Sequence, residues 1–103
     1  MSGQATTQQL VNQMRQDLQI LSKRIQELEG ELDEYSLTIA TLESMDGERL
    51  CFRQMGDALI ERKVGDVLPE LQKVREGLVQ LIRKMQMDYQ TKEEEISKFA
   101  EKK

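Results

Sequence analysis

At 103 residues the chain is one domain at most, and 33% charged with only 4% aromatic residues leaves little material for a compact core. The formal net charge of -4, with basic and acidic residues interleaved, offers no basic stripe of the kind that binds nucleic acid. Histidine is absent, so Cys–His catalysis and His-based metal sites are excluded, and the single Cys51 forms no internal disulfide.

There is no signal peptide and no apolar run long enough to span a bilayer, which points to a reducing, cytosolic home. The polar residues 1–5 read as a frayed lead-in. Thr6 and Gln9 have capping-box spacing, so a helix is predicted over 6–46. Its apolar residues are Val11, Met14, Leu18, Leu21, Ile25, Leu28, Leu32, Tyr35, Ile39 and Leu42. Their spacing alternates three and four without a break, the seam of a left-handed coiled coil. At about 1.5 Å per residue such a helix is on the order of 60 Å long. Gly47 suits the left-handed position that ends it.

A β-hairpin is predicted over 49–64. Met55-Gly56-Asp57-Ala58 reads as a type II′ turn, with glycine taking the positive φ at the first central position. Reflection about the Gly56–Asp57 bond puts Met55 opposite Ala58, Arg53 opposite Ile60 and Cys51 opposite Arg62 on one face. Gln54–Leu59, Phe52–Glu61 and Leu50–Lys63 occupy the other. Neither face is purely polar, and a lone two-stranded hairpin is marginal in water with both edges unpaired. Pairing with other chains is therefore expected. The residues assigned to it are Leu50, Cys51, Phe52, Arg53 and Met55, then Gly56 and Asp57 at the turn, then Ala58, Leu59, Ile60 and Glu61.

A second helix is predicted over 66–101, with Asp66 as N-cap and Pro69 in the first turn. Its seam runs Leu71, Val74, Leu78, Ile82, Met85, Tyr89, Lys92, Ile96 and Phe99. The two steps of four through Val74, Leu78 and Ile82 form a stutter that locally unwinds a supercoil. Gly30 and Gly77 each weaken a helix by about 1 kcal/mol relative to alanine and mark points of bending.

The two seams reflect about the same Gly56–Asp57 centre. Met14 falls opposite Phe99, Leu18 opposite Ile96, Leu21 opposite Lys92, Ile25 opposite Tyr89 and Leu28 opposite Met85. Leu32 falls opposite Ile82, Tyr35 opposite Leu78, Ile39 opposite Val74 and Leu42 opposite Leu71. This register needs no adjustable offset. The expected fold is mainly α, a long antiparallel two-helix coiled coil joined by a single β-hairpin, with both chain ends at the far tip.

The residues Glu34-Tyr35-Ser36-Leu37 through Leu42, Arg49, Cys51-Phe52-Arg53, Gly56, Leu59, Glu61-Arg62 and Val67-Leu68-Pro69 resemble those of a prefoldin β-class subunit. The resemblance covers nearly the whole chain as a single domain, 1–103, and its specific part runs from Arg49 to Pro69. Asp57 departs from the glycine or asparagine of close relatives, yet aspartate suits the turn. The resemblance implies a cytosolic hetero-hexamer of α- and β-class subunits whose hairpins complete an oligomeric β-barrel. Coiled coils would hang from it and hold unfolded clients such as actin and tubulin without ATP, delivering them to the group II chaperonin.

The tip residues Leu10, Val11, Met14, Ile96 and Phe99 are the candidates for client contact, with Met85 and Met87 as further apolar groups. Against this stands the plainer reading that Met14 and Phe99 only close the last layer. Lys92 is expected to snorkel out of its core slot, Glu93-Glu94-Glu95 to be a solvated face, and Cys51 to be a small packing residue. No catalytic, metal-binding or cofactor-binding residue is assigned, and neither nucleic acid nor membrane is an expected partner. The competing functional class is a scaffold or tether that oligomerises through the hairpin and binds no clients.

Overall fold

The computed structural model describes residues 6–101. Helix α1 (Thr7–Glu43) is followed by strands β1 (Leu50–Met55) and β2 (Ala58–Lys63), and then by helix α2 (Val64–Glu101). The predicted lead-in over residues 1–5 lies outside the described residues, as do Lys102 and Lys103.

Thr6 and Gln9 start α1 as their spacing requires. The Gln9 N–H donates to Thr6 Oγ1 at 3.1 Å, and the Thr6 N–H donates to Gln9 Oε1 at 2.8 Å. Two donors that a helix start leaves orphaned are thus satisfied reciprocally. The helix ends earlier than expected, at Glu43. There the Thr41 and Ser44 hydroxyls donate to the carbonyls of Leu37 and Thr41, at 2.9 and 2.8 Å. Asp46 then forms a local turn, its Oδ1 accepting from Glu48 N and its carbonyl from Arg49 N.

Among the described residues Gly56 is the one with positive φ, at 62°. Asp57 takes an ordinary φ, so only the first central residue is left-handed, as a type II′ turn requires. All six strand pairs, from Leu50–Lys63 to Met55–Ala58, stand in the expected register.

Gly47 does not take the left-handed conformation expected of it. The close approach here is made by Gly65. The Gly65 N–H donates to the Gly47 carbonyl at 2.9 Å, and a Cβ on Gly65 would stand 3.2 Å from that oxygen. The Val64 N–H likewise donates to the Arg49 carbonyl at 2.9 Å. These carbonyls satisfy two donors at the start of α2, so the helix begins at Val64 directly after β2. Asp66 is therefore a first-turn carboxylate, favourable at the positive end of the helix, and not the N-cap. Pro69 lies past the first turn, and its missing N–H leaves the Gly65 carbonyl without an α-helical donor.

The chain packs as two units. In one, α1 up to Glu29 lies with α2 from Leu81 onward. Here Val11, Ile25, Leu28, Ile82 and Ile96 are buried, Leu28 to 2% exposure. The other runs Gly30–Gln80, with Ile39, Val64 and Val67 buried. Every seam position predicted on α1 is buried or half-buried. Tyr35 shares a groove with Leu71 and Leu78, and Ile25 shares one with Tyr89, as the reflected register requires.

On α2 the seam differs at two places. Val74 is 46% exposed, and Lys92 is exposed as well. At about 100° per residue, Ile82 lies some 40° to one side of Leu78, and Val74 and Lys92 about 40° to the other. Ile82 is buried. Val74 turns outward, and Lys92 snorkels beside Asp17, Glu95, Met14 and Ile96. Ile39 remains buried, but the residues lining its groove are Ser36, Glu43, Gln72 and Arg75. Arg75 Nε donates to Ser36 Oγ there at 2.7 Å, a polar bridge at the level where the Ile39–Val74 layer was expected.

Candidate assembly and client-contact surfaces

The alternation of the hairpin sets what it presents. Leu50, Phe52 and Leu59 share one face and are all exposed, Phe52 to 62% and Leu59 to 67%. Full cover by another chain would be worth about 1.5–3 kcal/mol for each such side chain. On the opposite face Met55 and Ala58 are exposed near the turn, and Ile60 is 38% exposed. Toward the base Cys51 and Arg62 are half-buried.

This second face is turned to the first two turns of α2. Arg62 forms a two-pronged ion pair with Glu70, Nη2 to Oε1 at 2.8 Å and Nη1 to Oε2 at 3.2 Å. Arg53, on the same face, adds its charge at Glu70. The hydrogen bond from Arg62 holds the Glu70 carboxyl below its ordinary range and raises the Arg62 guanidinium above its own. The Cys51 thiol, facing Arg62 in the ladder, donates to the Arg62 carbonyl at 3.3 Å, the behaviour of a small packing residue. Lys63 and Glu48 pair at 2.9 Å at the hairpin base.

Sequence reasoning did not find the Arg62–Glu70 pair. The two residues are eight apart across a strand–helix junction, so no single helical or strand period relates them. The pair becomes visible only once α2 is known to start at Val64.

The structure separates the five candidate residues near the chain ends. Val11 and Ile96 are buried in the first unit, whereas Leu10 is 43% exposed and Met14 and Phe99 are half-buried. Met85 is half-buried in the seam and Met87 points outward. Among the described residues no group of His, Cys, Asp and Glu is arranged to hold a metal ion. No described helix is long and apolar enough to cross a membrane.

Two helices of nearly equal length, joined by a two-stranded hairpin with an exposed apolar face, define a mainly helical protein of the helix–hairpin–helix class. Over residues 6–103 the sequence matches the family model described as prefoldin subunit. It is 37% identical over 103 residues to prefoldin subunit 2 of Homo sapiens, which covers 97% of this chain and 67% of the relative. It is 36% identical over 103 residues to the probable prefoldin subunit 2 of Schizosaccharomyces pombe, covering 96% of this chain and 90% of that protein. The backbone matches the crystal structure of the prefoldin beta subunit from Thermococcus strain KS-1 with a TM-score of 0.83. That match covers 91% of this chain and 82% of the other at 16% identity, a likeness of fold. The chain belongs to the prefoldin family of chaperone subunits.

Proposed function

We propose that this chain is a β-class subunit of a hetero-hexameric, ATP-independent chaperone that holds unfolded proteins in the cytosol. Its hairpin pairs with those of other α- and β-class subunits. Its helix ends, together with those of the other subunits, grip clients of the actin and tubulin kind and pass them to the group II chaperonin.

The observation that carries the proposal is the hairpin. Among the described residues both strand edges are unpaired, and Leu50, Phe52 and Leu59 are exposed on one face. An edge of this kind is a liability unless another strand covers it. The exposed Leu10, with the half-buried Met14 and Phe99, supplies the apolar surface for clients. The proposal is tested by expressing the tagged chain in its own cells and measuring the native mass of what copurifies. Further prefoldin subunits in a defined assembly are expected. A monomer, or partners unrelated to prefoldin, would contradict it and favour a tether.

A further inference from the structure

We propose that Glu70 is a positioning residue for assembly: its two-pronged bond to Arg62 fixes the tilt of the hairpin on α2, and so the direction in which the Leu50–Phe52–Leu59 face meets its neighbours. This rests on the reading that the hairpin is the assembly element.

The base of the hairpin is attached through the direct Lys63–Val64 junction, the Val64 N–Arg49 O and Gly65 N–Gly47 O bonds, and the Lys63–Glu48 pair. All of these join the strand ends to the start of α2, at the base of the hairpin. The Arg62–Glu70 pair lies away from that base, because Glu70 is well into the second turn of α2. A second point of attachment away from the base restrains the tilt of the hairpin on α2. Two parallel hydrogen bonds also define a plane, which a single bond does not.

An exposed ion pair adds little to global stability, and this one has side chains 33% and 51% exposed. Its effect is directional. A sheet closed from several chains needs each hairpin at one angle, since a tilted strand pair loses ladder bonds to its neighbour. Arg53 adds its charge at the same carboxylate, so Glu70 is an anion on which two arginines of this face act.

The test uses the full chain. In a Cys51→Ser background, spin labels at Asp57→Cys and Lys73→Cys report the hairpin–helix distance. Glu70→Gln is expected to broaden that distribution and to reduce several-fold the prefoldin subunits copurified from cells, with far-UV circular dichroism unchanged. The charge-exchanged pair Arg62→Glu with Glu70→Arg is expected to narrow the distribution again and restore copurification. Glu70→Gln that assembles like the parent with an unchanged distribution would overturn the proposal, as would single-variant losses that the exchanged pair does not restore. If the parent chain itself copurifies no subunits, the assembly reading fails instead, and the spin-label distances still decide whether Glu70 sets the tilt.

Discussion

Arg75 of α2 reaches Ser36 of α1 at 2.7 Å, while its sequence neighbour Val74, the seam residue by spacing, is 46% exposed. A polar bridge thus stands at the level where the spacing places an apolar layer. Arg75→Ala is expected to cost about 0.5–1.5 kcal/mol, the net worth of a typical hydrogen bond. Val74→Ala should stay within about 0.5 kcal/mol, as for a surface position. Leu28→Ala, at 2% exposure, should cost about 2–5 kcal/mol. Urea unfolding of the three variants checks the order, and a Val74→Ala loss comparable to that of Leu28→Ala would restore the Ile39–Val74 layer.

The register is checked by chemistry. Tyr35 and Leu78 line one groove in the Gly30–Gln80 unit. With Cys51→Ser, cysteines at these two positions are expected to join within one chain under a short bis-maleimide, at dilutions where dimers do not form. Products that form only between chains, seen by mass spectrometry, would show that the coil is intermolecular.

Glycine substitutions separate close approach from mere helical cost. Gly30 has open space where a Cβ would stand, so Gly30→Ala is expected to stabilise by about 0.5–1 kcal/mol. Gly65→Ala brings its Cβ to 3.2 Å from a carbonyl that its own N–H must reach, and should lower the melting temperature. Gly56→Ala, at a φ of 62°, should cost about 1–2 kcal/mol. Equal thermal shifts for all three would contradict these assignments.

Acid should loosen the hairpin base through Glu70. The Arg62 hydrogen bond and the charges of Arg62 and Arg53 outweigh desolvation and depress its folded-state pKa. A depressed carboxyl contributes stability that is present above its unfolded value, near 4.5, and is lost as pH falls through the lower folded value. Arg62, with Glu70, Asp66 and Cys51 around it, is raised and so stays charged throughout this window. Glu70→Gln should therefore flatten the acid side of the stability profile below about pH 4.5, with little change at neutral pH. An unchanged acid limb would remove Glu70 from the account.

What was legible in the sequence followed local rules. The Thr6–Gln9 cap lies within one turn, and the Gly56 turn fixes the six strand pairs around it. The α1 seam is regular enough that one period describes it. The α2 start was not legible, because the donors of Val64 and Gly65 are satisfied by carbonyls from before β1, a contact no window around Asp66 contains. Val74 was misplaced because two steps of four give a stripe too broad to bury, and packing alone decides which edge is left out. Near the chain ends, apolarity marked Val11, Ile96 and Leu10 alike, whereas burial distinguishes them.

The central claim is that this chain's helix ends hold unfolded protein while its hairpin assembles. The most direct measurement replaces Leu10, Met14 and Phe99 by serine, leaving the buried Val11 and Ile96 in place. The complex is reconstituted with its partner subunits and assayed for suppression of aggregation of a denatured client. Each end offers only a few apolar groups, so ends of several subunits must act together by avidity. A normal oligomer mass with a partial loss of holding is expected, because the other subunits keep their own ends. Undiminished holding by the substituted complex would contradict the claim and make these residues structural ends of the coil.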